Sequence, residues 1–427
     1  TELDWSKWPG SASGFQGAVE MCNNNGACRK LQGGVMCPSF RITGEEKDST
    51  RGRANSLRLA MSGQLGQNAM ASAEMLEAMK LCVSCKACKR ECPTSVDMSA
   101  MKLEVMALNA RYNSLSIQDK LIAFLPDYAP LASSFNKILN LRNSSKVLAK
   151  IGERLTGFSA RRNLPVWRKD WYRNHEVPAD PIEQYPVILF VDTFNRYFEP
   201  ENLRSAVRVL HNAGYQPFYP KPETKSHKAL CCGKTHLSVG NISKAKEAAE
   251  RLVKTYLPYA KRGLPIVGLE PSCLFALKDE IPSLLKTNDA KLVAENVITF
   301  EELLAKDKKL LKLKPLKAKA LLHGHCHQKA FNVLNSVENV LHLIEELEVE
   351  KIETSCCGMA GAFGYSKETI DFSLKMAEKD LFPKIRNAEE ETILIADGTS
   401  CRSQIIDGTE REAVHVARLL DRQLMND

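Results

Sequence analysis

The chain has 427 residues, 44% hydrophobic and 26% charged, which excludes wholesale disorder and supplies enough material for roughly two to four domains. Its 59 basic and 51 acidic residues leave a net charge of only +8, too mild a balance to suggest a nucleic-acid partner. No apolar run approaches the ~18 residues of a transmembrane helix, so a transmembrane helix is excluded as well.

The first residues, Thr1-Glu2-Leu3-Asp4-Trp5, lack the basic and apolar regions of a signal peptide, and the missing initiator Met suggests an excised piece of a longer chain. The expected location is the cytoplasm, with a peripheral position at the inner face of a membrane as an alternative. The 14 cysteines are clustered, and in a reducing compartment clustered cysteines are metal ligands more often than disulfides.

Residues 1–110 hold two cysteine frames. Cys82-Val83-Ser84-Cys85-Lys86-Ala87-Cys88-Lys89-Arg90-Glu91-Cys92-Pro93 is C-x2-C-x2-C-x3-C-P, the bacterial ferredoxin run. Three thiolates at two-residue gaps wrap one cubane, the fourth usually serves a second cluster, and the Pro suits the first turn of a helix. Upstream, Cys22 and Cys28 match the first and third positions of the same frame, Asn25 replaces the second, and Cys37-Pro38 matches the last after a longer spacer. If the frames exchange their fourth ligands, one [4Fe-4S] cluster takes Cys82, Cys85, Cys88 and Cys37. The other takes Cys22, Cys28 and Cys92, one thiolate short. Three thiolates suit a three-iron cluster or a four-iron cluster with one foreign ligand; the alternative is a lost cluster whose cysteines now only pack. Apolar spacing predicts a helix over 69–81 leading into Cys82, and Asp97 is the expected N-cap of another. Helices bracketing the run fit an α-helical ferredoxin better than a small β-rich one.

Residues 111–184 read as a helical bridge ending in an extended linker, with Pro165, Trp167, Trp171, Pro178 and Pro181 near its end. Trp167 and Trp171 are expected to pack rather than bind a ligand.

Residues 185–310 and 311–427 follow one plan. Strands are predicted at 187–192 and 320–325, helices at 201–213 and 334–347, then Cys231-Cys232-Gly233 and Cys356-Cys357-Gly358. Helices at 242–260 and 366–382 follow, then strands at 265–270 and 392–398 leading to Ser272-Cys273 and Ser400-Cys401. Both motifs recur at nearly the same offset, which indicates an internal duplication. Alternating strands and helices imply parallel sheets, whose sites lie beyond the carboxyl ends of the strands. The expected fold is an α-helical ferredoxin domain followed by two pseudo-repeated α/β Cys-Cys-Gly lobes. The basic run over residues 306–319 reads as a solvated connector.

Cys326 lies within His323-Gly324-His325-Cys326-His327, where three imidazoles beside a thiol could ligate zinc or iron or carry protons. His323 and His325 would share a face if the strand continued, with His327 starting a turn. Cys326, Cys356, Cys357 and Cys401 are therefore candidate ligands of zinc or an iron–sulfur centre, with His323 and His325 beside them. The first lobe offers only Cys231, Cys232 and Cys273, with Thr193 near the place of Cys326. No dinucleotide fingerprint, P-loop or nucleophile elbow is evident.

Together these residues resemble the iron–sulfur parts of flavin-linked dehydrogenases, including the iron–sulfur subunits of glycolate oxidase and anaerobic glycerol-3-phosphate dehydrogenase and the Cys-Cys-Gly domains of heterodisulfide reductase. The closer resemblance is to the C-terminal half of FAD-linked D-2-hydroxyacid dehydrogenases of the D-lactate or D-2-hydroxyglutarate type. It is carried by Cys22 to Lys30, Met36 to Phe40, Ser49 to Asn55, and His323 to Ala330. The resemblance implies that FAD and hydroxyacid oxidation belong to a separate flavin domain or subunit, and that this chain passes electrons onward to a respiratory or protein acceptor. Two alternatives are a thiol or disulfide reductase of the heterodisulfide type and a zinc-stabilised docking scaffold. Full Cys-Cys-Gly lobes of the heterodisulfide relatives carry five cysteines. Here Glu270 and Gly398 stand where a further Cys would be.

Overall fold

The structure, a computed structural model, describes residues 1–7, 14–181, 185–222, 229–306 and 311–425. The expected boundaries at 184/185 and 310/311 adjoin residues outside that set, as does part of the basic connector.

Among the described residues before 186 there is no strand. Helices Pro38–Thr43, Thr50–Met61, Ala73–Lys80, Ala87–Glu91 and Met98–Tyr112 frame the cysteines, of which only Cys88 lies inside one of them. The expected helix over 69–81 is divided, because Ser72 caps Ala73–Lys80 by accepting from the Met75 amide, and residues 69–71 form a separate 3-10 turn. Asp97 caps Met98–Tyr112 as its position implied. The two Cys-Pro pairs differ. Pro38 opens a helix, whereas Pro93 lies in a turn closed by the Ser95 amide on the Cys92 carbonyl, and no helix begins there. The bridge is helical through Ile117–Ala123, Leu125–Ser134, Asn136–Ser144 and Lys146–Thr156. Its extended end packs: Trp167 lies 4.7 Å from the ring of Phe198, and Trp171 lies 5.1 Å from that of Tyr197.

Two sheets of four parallel strands follow. The first comprises β1 (Pro186–Phe190), β2 (Gln216–Phe218), β3 (Ile266–Gly268) and β4 (Val297–Thr299), in the order β2-β1-β3-β4. The second comprises β5 (Ala318–Leu322), β6 (Leu347–Lys351), β7 (Ile393–Ile395) and β8 (Ala413–Val414), in the equivalent order β6-β5-β7-β8. The duplication in sequence is thus a duplication in topology. Val187 to Phe190 are almost wholly buried, as a parallel strand covered on both faces requires. One apolar core runs through both lobes, from Val187 and Leu203 of the first to Val337, Val416 and Leu420 of the second. β5 stops at Leu322, so His323 and His325 do not share a strand face. His325 instead caps the helix Cys326–Ala330, and His327 lies inside that helix.

Candidate metal centres around a shared cavity

The upstream thiols collect at the N-terminal turn of Thr50–Met61. The Thr50 amide donates to Cys37 Sγ at 3.1 Å and the Arg51 amide to Cys28 Sγ at 3.4 Å. The free amides and dipole of a helix N-terminus favour negative sulfur there. The stretch Ser49 to Asn55 acquires a physical reading. Ser49 caps the helix through the Gly52 amide, and Arg53 reaches the carbonyls of Asp48 and Ala78. At Gly52 a Cβ would fall 1.9 Å from the Glu46 carbonyl oxygen, so only glycine allows the turn to close.

Ser84 and Lys86 adopt left-handed φ of 50° and 60°, which turns the chain between Cys82, Cys85 and Cys88 so that the three thiols face one another electrostatically. Burial, then the neighbouring Asp97 and Cys82, pushes Cys88 up to about 12. Glu91 accepts from the Val35 and Met36 amides at 2.7 and 2.9 Å and so draws Cys37 toward this run. Cys37 lies within electrostatic reach of Cys88, and Cys22 within reach of Cys28 and Cys92. Cys37 also touches Cys28, whose pKa this contact and the Arg51 amide draw down to about 6. Asn25 is exposed and spends its side chain on the Ala27 amide and on Asn23.

In the second lobe, Cys326 contacts Cys356, Cys356 contacts Cys357, and Cys357 contacts Cys401. A ring nitrogen of His323 and the sulfurs of Cys357 and Cys401 lie within 4.8 Å of one another. His323 Nδ1 meets the Thr354 hydroxyl at 3.2 Å, while its Nε2 is buried without a hydrogen-bond partner. The Gly358 amide donates to Cys356 Sγ at 3.4 Å, and the φ of 83° at Gly358 brings the backbone so near Ser373 that a Cβ would lie 2.3 Å from its carbonyl oxygen. His325 borders this group, within electrostatic reach of Cys326 and across Gly398 from Cys401. Its Nδ1 accepts from the His327 amide, and its ring lies over Gly398, where a Cβ would meet His325 Cδ2 at 2.5 Å. The ring fills the space that a cysteine at 398 would need.

In the first lobe Cys231 contacts Cys232, and Cys232 contacts Cys273. Thr193 Oγ1 faces Cys231 Sγ at 4.0 Å from the first position of its helix, the position Cys326 holds in the other lobe. Sequence reasoning missed the part Glu270 plays. It caps its own helix through Ser272, and its other oxygen accepts from the Thr399 amide of the second lobe at 2.8 Å. Burial raises its pKa, and burial together with the Glu270 charge pushes Asp192 up to about 6. A strand-ending acid ahead of Pro271 was a readable capping signal; its reach to the other lobe was not.

These groups surround one cavity of about 510 Å³, lined by Cys82 and Ser84, by Cys231, Cys232 and Cys273, and by Cys326, Cys356 and Cys357. The ferredoxin run adjoins the second lobe directly. Cys85 is within electrostatic reach of Cys326, and His327 Nε2 donates to the Ser84 carbonyl at 3.1 Å. The donor set fits iron–sulfur chemistry: buried thiols converge in groups, backbone amides point at several sulfurs, and the His323 ring lies against Cys357.

Comparison with known families agrees with this chemistry. Residues 18–96 match the 4Fe-4S dicluster domain, and residues 193–278 and 320–406 each match the cysteine-rich domain. The chain carries a 4Fe-4S dicluster domain followed by two cysteine-rich domains. It is 24% identical to the D-2-hydroxyglutarate dehydrogenase of Escherichia coli K12 over 92% of this chain and 42% of that protein. It is 26% identical to the enzyme of the same name from Pseudomonas putida over 94% of this chain and 43% of that protein. One subunit of the anaerobic glycerol-3-phosphate dehydrogenase of Escherichia coli K12 is 26% identical over 75% of this chain and 81% of its own length. The dicluster chain therefore spans about two-fifths of the D-2-hydroxyglutarate dehydrogenases it matches. Iron–sulfur binding and a role in electron transfer are supported by these domains and by their occurrence in dehydrogenases.

Proposed function

We propose that this chain is an iron–sulfur electron-transfer module. It takes electrons from a flavin-bound D-2-hydroxyacid dehydrogenase, carried on a companion domain or subunit, and passes them to a respiratory or protein acceptor. The observation that carries the reading is the shared cavity, at which the ferredoxin run and the cysteines of both lobes meet. Cys82, Cys85, Cys88 and Cys37 would hold one cluster, and Cys22, Cys28 and Cys92 a second with three thiolates. Cys326, Cys356, Cys357 and Cys401, with His323, would hold a further centre. Bound clusters supply one-electron redox chemistry, which matches the need to split the electron pair that a reduced flavin releases. The chain's own residues orient the thiols, exclude water and donate backbone hydrogen bonds to sulfur, which tune such potentials.

Zinc is a second reading for the later lobe alone, favoured by the buried set of one imidazole and several thiols. Anaerobic iron, sulfide and zinc analysis, with electron paramagnetic resonance of the oxidised and dithionite-reduced chain, tests both. Two distinct cluster signals are expected, one of them lost in a Cys22→Ala/Cys28→Ala variant. A purified chain with no reducible iron–sulfur signal overturns the electron-transfer reading. Zinc lost on Cys326→Ala, with the dicluster signals intact, assigns that lobe to a structural role.

A further inference from the structure

The bridge between the dicluster domain and the first lobe has its amphipathicity inverted. Helix Asn136–Ser144 turns its polar side chains inward. Asn140 exchanges hydrogen bonds with the Trp167 backbone at 2.9 and 3.0 Å, Asn143 does the same with Leu164 at 2.7 and 3.0 Å, and Arg142 donates to the carbonyls of Ser159 and Arg162. Its apolar residues Ile138, Leu139 and Leu141 face solvent, and the helix has no buried residue. Helix Lys146–Thr156 buries only Ala149 and exposes Val147, Leu148, Ile151 and Leu155. Leu131 and the C-cap Phe135 of the preceding helix Leu125–Ser134 are exposed as well, and Leu131, Ile138, Val147 and Leu155 are 64%, 66%, 68% and 65% exposed. Chains that remain alone in water rarely leave so much apolar surface uncovered.

The charges beside this face indicate what covers it. Lys146, Lys150 and Arg154 follow one another at helical spacing in a stripe next to Val147, Ile151 and Leu155, and Lys137 lies on the neighbouring helix. All four are exposed, and none forms an ion pair among the described residues. Protein interfaces favour aromatic residues and deplete lysine, whereas this face has one aromatic side chain, Phe135, among aliphatic ones and is rimmed with lysine. That is the pattern of a helix lying in the plane of an anionic bilayer, with aliphatic side chains among the acyl chains and cations at the headgroups. No described helix is long and apolar enough to cross a membrane, so the contact is peripheral.

We infer that the helices Asn136–Ser144 and Lys146–Thr156 dock this protein on the surface of an anionic phospholipid bilayer. The neighbouring bridge residues Leu121, Ile122 and Leu125 wall the cysteine-lined cavity, so the docking arm and the cavity belong to one structural unit.

The test is co-sedimentation of the cluster-loaded chain with vesicles of phosphatidylethanolamine and phosphatidylglycerol, against vesicles of phosphatidylcholine alone. Binding to the anionic vesicles that weakens with salt is expected. Ile151→Glu/Leu155→Glu should weaken it by about tenfold or more, and Lys146→Glu/Lys150→Glu should weaken it and flatten its salt dependence. These side chains are exposed, so unchanged circular dichroism and iron content serve as the folding control. Anionic vesicles that fail to retain the chain, or retain the Ile151→Glu/Leu155→Glu variant equally well, overturn the inference. So does a dimer in sedimentation equilibrium that this variant dissolves, which would make the face a contact between copies.

Discussion

At the scale of single residues, the two candidate histidines of the second lobe have been given different work by one local event, the end of β5 at Leu322. His323 falls among the thiols with its ring against Cys357, while His325 spends Nδ1 on the cap of Cys326–Ala330. His323→Ala is expected to reduce the metal retained by the purified chain, measured by elemental mass spectrometry. His325→Ala should leave metal content unchanged and lower stability by about 1 kcal/mol in a urea titration, the ordinary cost of a lost cap. The thiols themselves were legible because metal ligation imposes spacing that a sequence displays directly. Glu270 and Lys86 were not. Their roles depend on Thr399, Asp279 and Glu280, which are brought to them only by the assembled fold.

At the scale of elements, long helices and central strands were readable and edge strands were not. Ile242–Ala260 forms as its periodicity implies and Met98–Tyr112 as its cap implies; β3 and β7 lie within the expected strands, and β1 and β5 overlap theirs but begin at 186 and 318 and end at 190 and 322. β2, β4 and β8 are as short as β3 and β7 or shorter but lack the apolar run that marks those central strands, and β6 is a partly exposed edge reading Leu-Glu-Val-Glu-Lys. The predicted helix over 334–347 ends at Leu341 because the chain must turn to enter β6. The helix start at Ser49 governs the dicluster site, since its amides meet Cys28 and Cys37. Gly52→Ala, whose methyl collides with the Glu46 backbone, should therefore cost about 2 kcal/mol or more and lower the iron bound by the dicluster domain. Gly44→Ala is the control. Its φ of 70° strains the substitution, but nothing crowds the new methyl, so about 1 kcal/mol should be lost with iron content unchanged.

At the scale of the whole molecule, charged side chains clasp units that the cysteines alone would not hold in register. Lys86, buried beside Cys85, reaches Asp279 at 2.6 Å and Glu280 at 3.2 Å in the first lobe, and Arg402 of the second lobe grips Glu199 of the first at 2.6 and 2.7 Å. Burial alone would raise these three carboxyls; Lys86 and Lys89 at Asp279, Lys234 and Lys86 at Glu280, and Arg402 at Glu199 outweigh it and hold each below the usual range. A carboxylate whose pKa is lower in the folded state contributes stability that is fully present above its unfolded value, near 4, and is lost as pH falls through the folded value. Acid should therefore release the lobe interfaces, while alkali up to the range of lysine should not. Glu199→Gln separates this effect from general acid unfolding. At neutral pH it leaves the buried Arg402 guanidinium without its charge partner and should cost about 3 kcal/mol. As pH falls from about 4, the unfolded value, toward the lowered folded value, wild type loses the charge contribution of Glu199, so the gap between variant and wild type should narrow. Urea midpoints of both chains at neutral pH and at successively lower pH measure that convergence, and a gap that stays constant into acid would show that Glu199 acts through packing and not through its charge.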